Sequence, residues 1–321
     1  MVSLIITKNE ENQRLDRFLK KYLKNAPLSY IYKIIRKDVK VNGRRAGQDT
    51  LLCEGDEVNL YLAEQTIAEF HRVRTQTKAK RQFKIAFEDE NILIAEKPFG
   101  LLTHGDAVEK KNTLANQVTA YLCESGVYEP GRERTFVPAP VNRLDRNTTG
   151  LVIFGKNAAA LQALNKMIRE KGYVDKYYLT IVKGRLARTL ELKDKMEKDS
   201  RTNTVRVIPL ESEGGKVMET VARPLRVSRD GRYTLLEVHL VTGRTHQIRA
   251  HLAKAGHPVL GDSKYGRAER GRSTQLLHAY RLSFADGIAP LKYLAGLEVK
   301  SALPPEFEKI AGEIFGPIET I

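Results

Sequence analysis

A chain of 321 residues is too long for one small core, and 41% hydrophobic with 29% charged residues is ordinary globular composition. The 54 Lys and Arg against 39 Asp and Glu leave a net charge of +15, which favours a polyanionic partner, nucleic acid before anionic membrane. No apolar run approaches the ~20 residues of a bilayer-spanning helix, and the two unrelated cysteines, Cys53 and Cys123, imply neither a disulfide framework nor a zinc site.

The opening stretch Met1–Thr7 lacks the charged lead of a signal peptide, so a cytoplasmic setting with reduced thiols and no membrane association is expected. From Arg14 to Lys24, residues Leu15, Phe18, Leu19, Tyr22 and Leu23 share one helical face, and Pro27 breaks that helix. Ser29 is placed to cap a second helix, with Ile31, Ile34 and Ile35 inward and Lys33, Arg36 and Lys37 along another side. Val39 and Val41 alternate into Asn42-Gly43, a hairpin signal, and Glu54-Gly55-Asp56 turns the chain into Val58, Leu60 and Leu62. The order Arg14-Leu15-Asp16, Lys40-Val41-Asn42-Gly43, Gly55-Asp56-Glu57-Val58 resembles the S4 RNA-binding domain. That resemblance implies a small α+β RNA-binding module over residues 1–62, with Lys33, Arg36 and Lys37 as RNA contacts. A generic α+β unit with a solvated basic face is the plainer alternative.

Residues 63–82 read as a basic linker: Arg72, Arg74, Lys78, Lys80 and Arg81 occur with no acid after Phe70 and no periodicity. The second domain, 83–321, begins where Phe83, Ile85 and Phe87 alternate. A turn at Glu88–Asn91 leads into Ile92–Ala95 and the rigid turn Lys97-Pro98-Phe99-Gly100. Asn112 or Thr113 caps a helix carrying Leu114, Val118, Tyr121 and Leu122, and Gly126 stops it. A polar turn, Asn142-Arg143-Leu144-Asp145-Arg146, then feeds the apolar run Leu151–Phe154, which reads as a short buried strand. A carboxylate on a loop held by a rigid strand is a common catalytic arrangement. The tetrapeptide Arg-Leu-Asp-Arg also occurs at residues 14–17, where Asp16 reads as a solvated or ion-paired surface charge on a helix.

Ala158–Arg169 is a further amphipathic helix ended by Gly172, and Lys176–Gly184 a β-rich run in which only one of Tyr177 and Tyr178 can face a given site. Lys193–Gly215 reads as surface strands and loops. Leu236, Val238 and Leu240 form one face of a strand that delivers the chain into Thr242–Leu252, with Ile248 and Leu252 toward the core and Arg249 projecting elsewhere, toward a site. Leu277–Phe284 is a final strand. His239, His246, His251 and His257 invite a metal reading, but no pair sits four apart on one helix face. Gly266–Ser273 imitates a phosphate-binding loop, yet polar residues precede it, and a mobile basic loop is expected instead.

Five segments of this domain resemble the RluA-type pseudouridine synthases: the Lys97-Pro98-Phe99-Gly100 turn, the Asp145 segment, Lys176–Gly184, Leu277–Phe284 and, most extensively, Thr242–Gly266. The family usually has His where Asn142 stands. The resemblance implies an α+β fold: a catalytic domain with the pseudouridine synthase fold, built on a mixed, largely antiparallel sheet, beside the small N-terminal S4 domain. It implies isomerisation of uridine in RNA without cofactor, the N1–C1′ bond breaking and C5 joining C1′. Large-subunit (23S) ribosomal RNA is the first expectation for the partner, and a monomer for the assembly. Asp145 is implied as nucleophile or base, Tyr178 rather than Tyr177 as the residue on the flipped base, and Arg249 as the ion-pair partner of Asp145. Arg143, Arg146, His246 and Gln247 are implied as substrate contacts. Arginine is not needed to ionise a carboxylate in water, but a dry pocket would raise its pKa, and a cation offsets that. A non-catalytic RNA-binding protein retaining the fold is the alternative, resting on Asn142. A glycoside hydrolase would want a second cooperating carboxylate, and none recurs near Asp145 in a comparable setting.

Overall fold

The structure is a computed structural model that describes residues 1–71, 79–130, 133–199, 204–269 and 271–317. The chain forms two compact units, one of Met1–Arg81, Asn116–Ala139 and Gly155–Gln162, the other of Gln82–Ala115, Pro140–Phe154 and Ala163–Ile321.

The first unit contains β1 (Val2–Ile5), β2 (Gln13–Arg14), α1 (Leu15–Tyr22), α2 (Leu28–Lys37), β3 (Val39–Val41), β4 (Arg44–Arg45), β5 (Leu51–Leu52), β6 (Glu57–Leu60) and α3 (Glu64–Phe70). Strands β1, β6, β3 and β4 make an antiparallel sheet. Asn42 and Gly43 turn the β3–β4 hairpin with φ of 52° and 74°, a conformation that these two residue types tolerate. The apolar faces of α1 and α2, including Leu15, Phe18, Leu19, Ile31 and Ile34, pack with Val39, Val58 and Leu60 in one core.

Three details differ from expectation. Ser29 caps nothing: Pro27 is the N-cap of α2, its φ of −59° already suited to helix entry, and no side chain caps the end. The stretch expected to be linker begins with a helix, α3, because Ile67 is buried against the core and the Phe70 ring lies 4.9 Å from that of Tyr30; Arg72, Arg74 and Lys78 lie outside the described residues. Asp16 is ion-paired with Arg14 as expected, but it is buried and also accepts the Arg17 backbone N–H. Residues from beyond the first eighty join this unit through polar contacts. Arg134 donates through Nε to fully buried Glu10 at 3.0 Å, and Asn9 bridges Glu133 and the Ala158 backbone N–H.

The chain continues through β7 (Lys84–Glu88), β8 (Ile92–Lys97), α4 (Leu114–Glu124), β9 (Ala139–Pro140), β10 (Thr149–Gly155), α5 (Ala158–Arg169), β11 (Val174–Lys183), β12 (Leu190–Asp199), β13 (Thr204–Ile208), β14 (Lys216–Val227), β15 (Tyr233–Leu240), α6 (Gln247–Lys254), β16 (Leu277–Phe284), β17 (Glu298–Lys300) and α7 (Pro305–Phe315). The large sheet runs β13-β12-β14-β15-β11-β16-β10-β8-β7, with β17 beside β16 and β9 beside β10. It is mixed and largely antiparallel. One parallel pair joins β10 to β16, in the register Thr149↔His278 and Gly150↔Ala279.

That parallel pairing anchors the Asp145 loop. Leu151, Val152, Ile153 and Phe154 are wholly buried, each stabilising the strand by roughly 1.5–3 kcal/mol. Gly150 has φ of 112°, and a Cβ there would lie 2.1 Å from the Ala279 carbonyl oxygen, so only glycine lets the strands meet at that point. The Gly266–Ser273 segment, expected to be mobile, is tied down where described. Glu269 accepts the Tyr233 hydroxyl and pairs with Lys183, and Arg272 pairs with Glu306. Its one acid, Glu269, makes the first two of these contacts; Arg270 lies outside the described residues.

Candidate active site

The loop carrying Asp145 is clamped on both sides. Thr103 Oγ1 donates to the Leu144 carbonyl at 3.0 Å and accepts the Leu144 N–H at 3.1 Å. The Thr148 N–H closes a turn onto the Asp145 carbonyl at 3.1 Å. Lys97, at the end of β8 and 1% exposed, gives its three N–H donors to the carbonyls of Pro98, Leu101 and Arg146 at 3.0, 2.7 and 2.8 Å. Burial pushes the Lys97 pKa down to about 7, and the charge of Asp145 opposes that shift. Asn142 accepts the Ile153 N–H at 2.9 Å and donates to the Leu151 carbonyl at 3.3 Å, so its side chain fastens the strand rather than meeting Asp145.

Arg249, on α6, reaches Asp145 from the opposite wall: Nη1 donates to Asp145 Oδ2 at 3.0 Å. The remaining edge of the guanidinium is held by Asp262, with Nε on Oδ2 at 2.7 Å and Nη2 on Oδ1 at 2.8 Å. Asp262 also accepts the Lys264 and Tyr265 N–H groups, and these contacts outweigh burial to keep its pKa below the usual carboxylate range. A second carboxylate, Asp262, thus lies near Asp145, but not in a comparable setting. Asp262 shares its arginine, but both of its oxygens are committed to that arginine, which leaves Asp145 as the carboxylate facing open space.

His246 precedes α6 in a left-handed conformation with φ of 52°, uncommon for a residue with a side chain. The Tyr265 hydroxyl accepts the Val205 N–H at 2.7 Å and shares a hydrogen bond of 2.9 Å with His246 Nδ1, whose direction follows the imidazole tautomer. On the other side of the ring, Nε2 lies 3.8 Å from Asp145 Oδ2. Burial lowers the His246 pKa, with Asp145 opposing, which favours the neutral imidazole.

Tyr178 and Tyr177 face opposite sides of β11. Tyr178 is 6% exposed and lines the cleft; burial first, then the Asp145 charge, raises its phenol pKa. Tyr177 stacks on His239 at 4.8 Å between ring centroids, with the Arg281 guanidinium 3.7 Å from its own centroid.

The cleft has a volume of about 730 Å³. Its lining includes Arg143, Arg169, Lys171, Lys176, Arg244 and Arg249, and among the described residues Asp145 is its one carboxylate. Of the expected contacts, Arg143, His246 and Gln247 line it, whereas Arg146 does not and instead lies 3.6 Å from Asp106. Gln247 has no capacity left for a ligand. Its oxygen accepts Thr242 Oγ1 and the Arg244 N–H, and its nitrogen donates to the Glu219 carbonyl and Thr220 Oγ1. Lys33, Arg36 and Lys37 belong to α2 in the first unit and are not part of this cleft. Among the described residues no three His, Cys, Asp or Glu side chains converge to hold a metal.

Sequence reasoning passes over Asp262, Tyr265 and Lys97. Lys97 has a local signal, a lysine ending a strand otherwise apolar enough to be buried. Nothing local marks Asp262 as the partner of Arg249.

A family model described as RNA pseudouridylate synthase matches residues 91–254, which hold Asp145, Tyr178 and Arg249. A Pasteurella multocida protein named ribosomal large subunit pseudouridine synthase C is 33% identical over 97% of this chain and 93% of its own. The Escherichia coli protein of that name is 34% identical over 87% of both chains. Among solved structures, human RNA pseudouridylate synthase domain containing 1 is similar with a TM-score of 0.54 at 22% identity, covering 71% of this chain and 87% of that one, a likeness of fold. The chain belongs to the RNA pseudouridine synthase family.

Proposed function

We propose that this synthase isomerises uridines of large-subunit ribosomal RNA, with Asp145 as the reacting carboxylate. The observation that carries the reading is the single open carboxylate in a cleft otherwise lined by cations, held by an arginine that a second carboxylate fixes in place. The names of the relatives support the ribosomal target. The reaction rearranges one nucleoside without gain or loss of atoms: N1–C1′ breaks, C5–C1′ forms, and the hydrogen displaced from C5 is balanced by one acquired at N1.

The bond lies within stacked RNA, so the nucleotide must be turned out into the cleft. Exposed Arg143, two residues before Asp145, is placed to occupy the gap or hold the backbone. A bound base would dry the cleft and disfavour a carboxylate, and Arg249 at 3.0 Å offsets that cost. Tyr178, kept as a neutral phenol, has no hydrogen-bond partner for its hydroxyl among the described residues. It can stack on the uracil and relay a proton. The non-catalytic alternative rests on Asn142, whose bonds run to the strand backbone and leave Asp145, Tyr178 and Arg249 untouched.

The proposal extends to an S4-like RNA-binding role for residues 1–62, supported by the ordered motifs and by the basic residues Lys33, Arg36 and Lys37 on α2. It also extends to a cytoplasmic setting, supported by the free thiols Cys53 and Cys123. The test is to map pseudouridines in large-subunit rRNA incubated with the wild-type protein and with Asp145→Asn. New sites with wild type and none with the variant are expected. Equal patterns would remove Asp145 from the chemistry, and sites confined to other RNAs would remove the ribosomal target.

A further inference from the structure

We propose that Lys176 forms a subsite for a backbone phosphate of the bound RNA, beside the position of the turned-out uridine. The inference rests on the reading of the cleft as the RNA site and adds a ligand contact to it.

Lys176 lies two residues before Tyr178 on β11. The two side chains therefore share a face of the strand, roughly 7 Å apart along it, and both line the cleft. Lys176 is 7% exposed, yet its ammonium has no hydrogen bond or ion pair with any described residue. The other lysine buried in this unit shows what a satisfied one looks like: Lys97 donates to three carbonyls. The neighbouring Asp175 points to the other face, where it takes His239 Nε2 at 2.9 Å. Burial accordingly lowers the Lys176 pKa, with Asp175 opposing.

The other cations of the lining are provided for. Lys171 pairs with Glu219 at 2.6 Å, Arg169 lies 3.8 Å from Glu170, Arg244 donates to the Val217 carbonyl, and Arg249 is held by two carboxylates. Arg143 has no partner among the described residues but is exposed to water. Lys176 combines burial, charge and an unfilled set of donors. Its ammonium is not wholly closed off from the cleft, and once bound RNA displaces the water there it is stabilised by an anion rather than by neutral oxygens. Uracil and ribose offer only neutral oxygens, whereas every nucleotide brings one anionic phosphodiester.

The test uses the full chain with Asp145→Asn, so that no turnover intervenes, and a short single-stranded uridine-containing RNA whose binding is followed across a salt series. Adding Lys176→Met keeps the buried stem and removes the charge. Binding is expected to weaken roughly ten- to a hundredfold, and the log–log salt slope to fall by about 0.7. Lys176→Arg should restore most of both. Replacing one linkage beside the uridine by a methylphosphonate should weaken binding to the parent and leave the Met variant unaffected. The RNA-free Met variant should melt no earlier than its parent, because the ammonium has no partner to lose.

Unchanged affinity and slope, or equal sensitivity of both proteins to every methylphosphonate, would overturn the subsite. So would a drop in melting temperature with binding retained, which marks a structural lysine. The synthase reading is judged separately, by product formation with the wild-type chain. If binding behaves as expected but no uridine is isomerised, the synthase reading fails and the subsite stands. If uridines are isomerised but binding does not respond to Lys176, the subsite fails and the synthase reading stands.

Discussion

Exchanging Asp262 for asparagine should separate what holds the site together from what reacts in it. Arg249 and Asp262 have side chains 7% and 1% exposed, and two charge-assisted hydrogen bonds join them. Asparagine keeps the shape, removes the charge and turns at least one donor toward donors. Breaking a buried ion pair by neutralising one partner costs roughly 3–5 kcal/mol. The backbone N–H groups of Lys264 and Tyr265, which share Oδ1, lose a charged acceptor as well. Asp145 makes one bond to the same arginine and its side chain is 23% exposed, so Asp145→Asn should cost only about 1 kcal/mol. Urea unfolding of the wild type and both variants, compared at unchanged slope, reads these differences directly. Single-turnover assays give the other half: isomerisation abolished in Asp145→Asn, and only reduced in whatever fraction of Asp262→Asn remains folded. If Asp145→Asn proves the less stable variant, Arg249 is anchored on Asp145 itself and this division of labour is refuted.

Tyr178→Phe should slow the single-turnover rate more than it weakens RNA binding, whereas Tyr177→Phe, on the opposite face, should be near neutral; the reverse order of rates would reassign the residue. His278 is buried, with Nδ1 2.8 Å from Thr149 Oγ1, and burial lowers its pKa to about 4. Between the ordinary value of 6.5 and 4, the unfolded chain binds a proton that the native state refuses. Its contribution is therefore intact above pH 6.5 and declines by roughly 3 kcal/mol as pH falls toward 4. Urea midpoints across that range should show the decline in wild type and less of it in His278→Gln; an identical pH profile removes His278 as the cause. Replacing Lys33, Arg36 and Lys37 by glutamine should lower the salt slope of RNA binding by roughly 0.7–0.9 for each phosphate no longer neutralised. It should not change the saturating single-turnover rate, and an unchanged slope would show that this face of α2 does not touch RNA.

Much of the architecture is legible because periodicity and turn chemistry are local. Ala158–Arg169 and Leu277–Phe284 have the bounds that their patterns imply, and Asn42-Gly43 makes the hairpin its residue types demand. The start of α2 differs from expectation because serine and proline both mark helix entry, and here the rigid ring governs. The α3 helix is hidden because Ile67 and Phe70 are too few to declare a period. In the site, family motifs point to Asp145, Tyr178 and Arg249. A sequence pattern leaves Gln247 free for substrate, yet its partners come from Thr242, Arg244, Glu219 and Thr220, two of them in another strand. The role of Asp262 depends on a contact that no short-range pattern encodes.

The parallel pairing of β10 with β16 sets an order on assembly. The strand that carries the Asp145 loop is completed by a partner 129 residues later, and the Asp145–Arg249 bond spans 104 residues. Closing contacts of such long range is slow, since the chain entropy is lost before the contact repays it. On a ribosome, Asp145 would emerge well before the residues that neutralise and aim it. The nascent chain would therefore carry the Asp145 carboxylate without its arginine until α6 and β16 had been synthesised. Catalytic competence arrives late, as one of the last consequences of folding, and a chain arrested before Leu277 should hold the motif without the site.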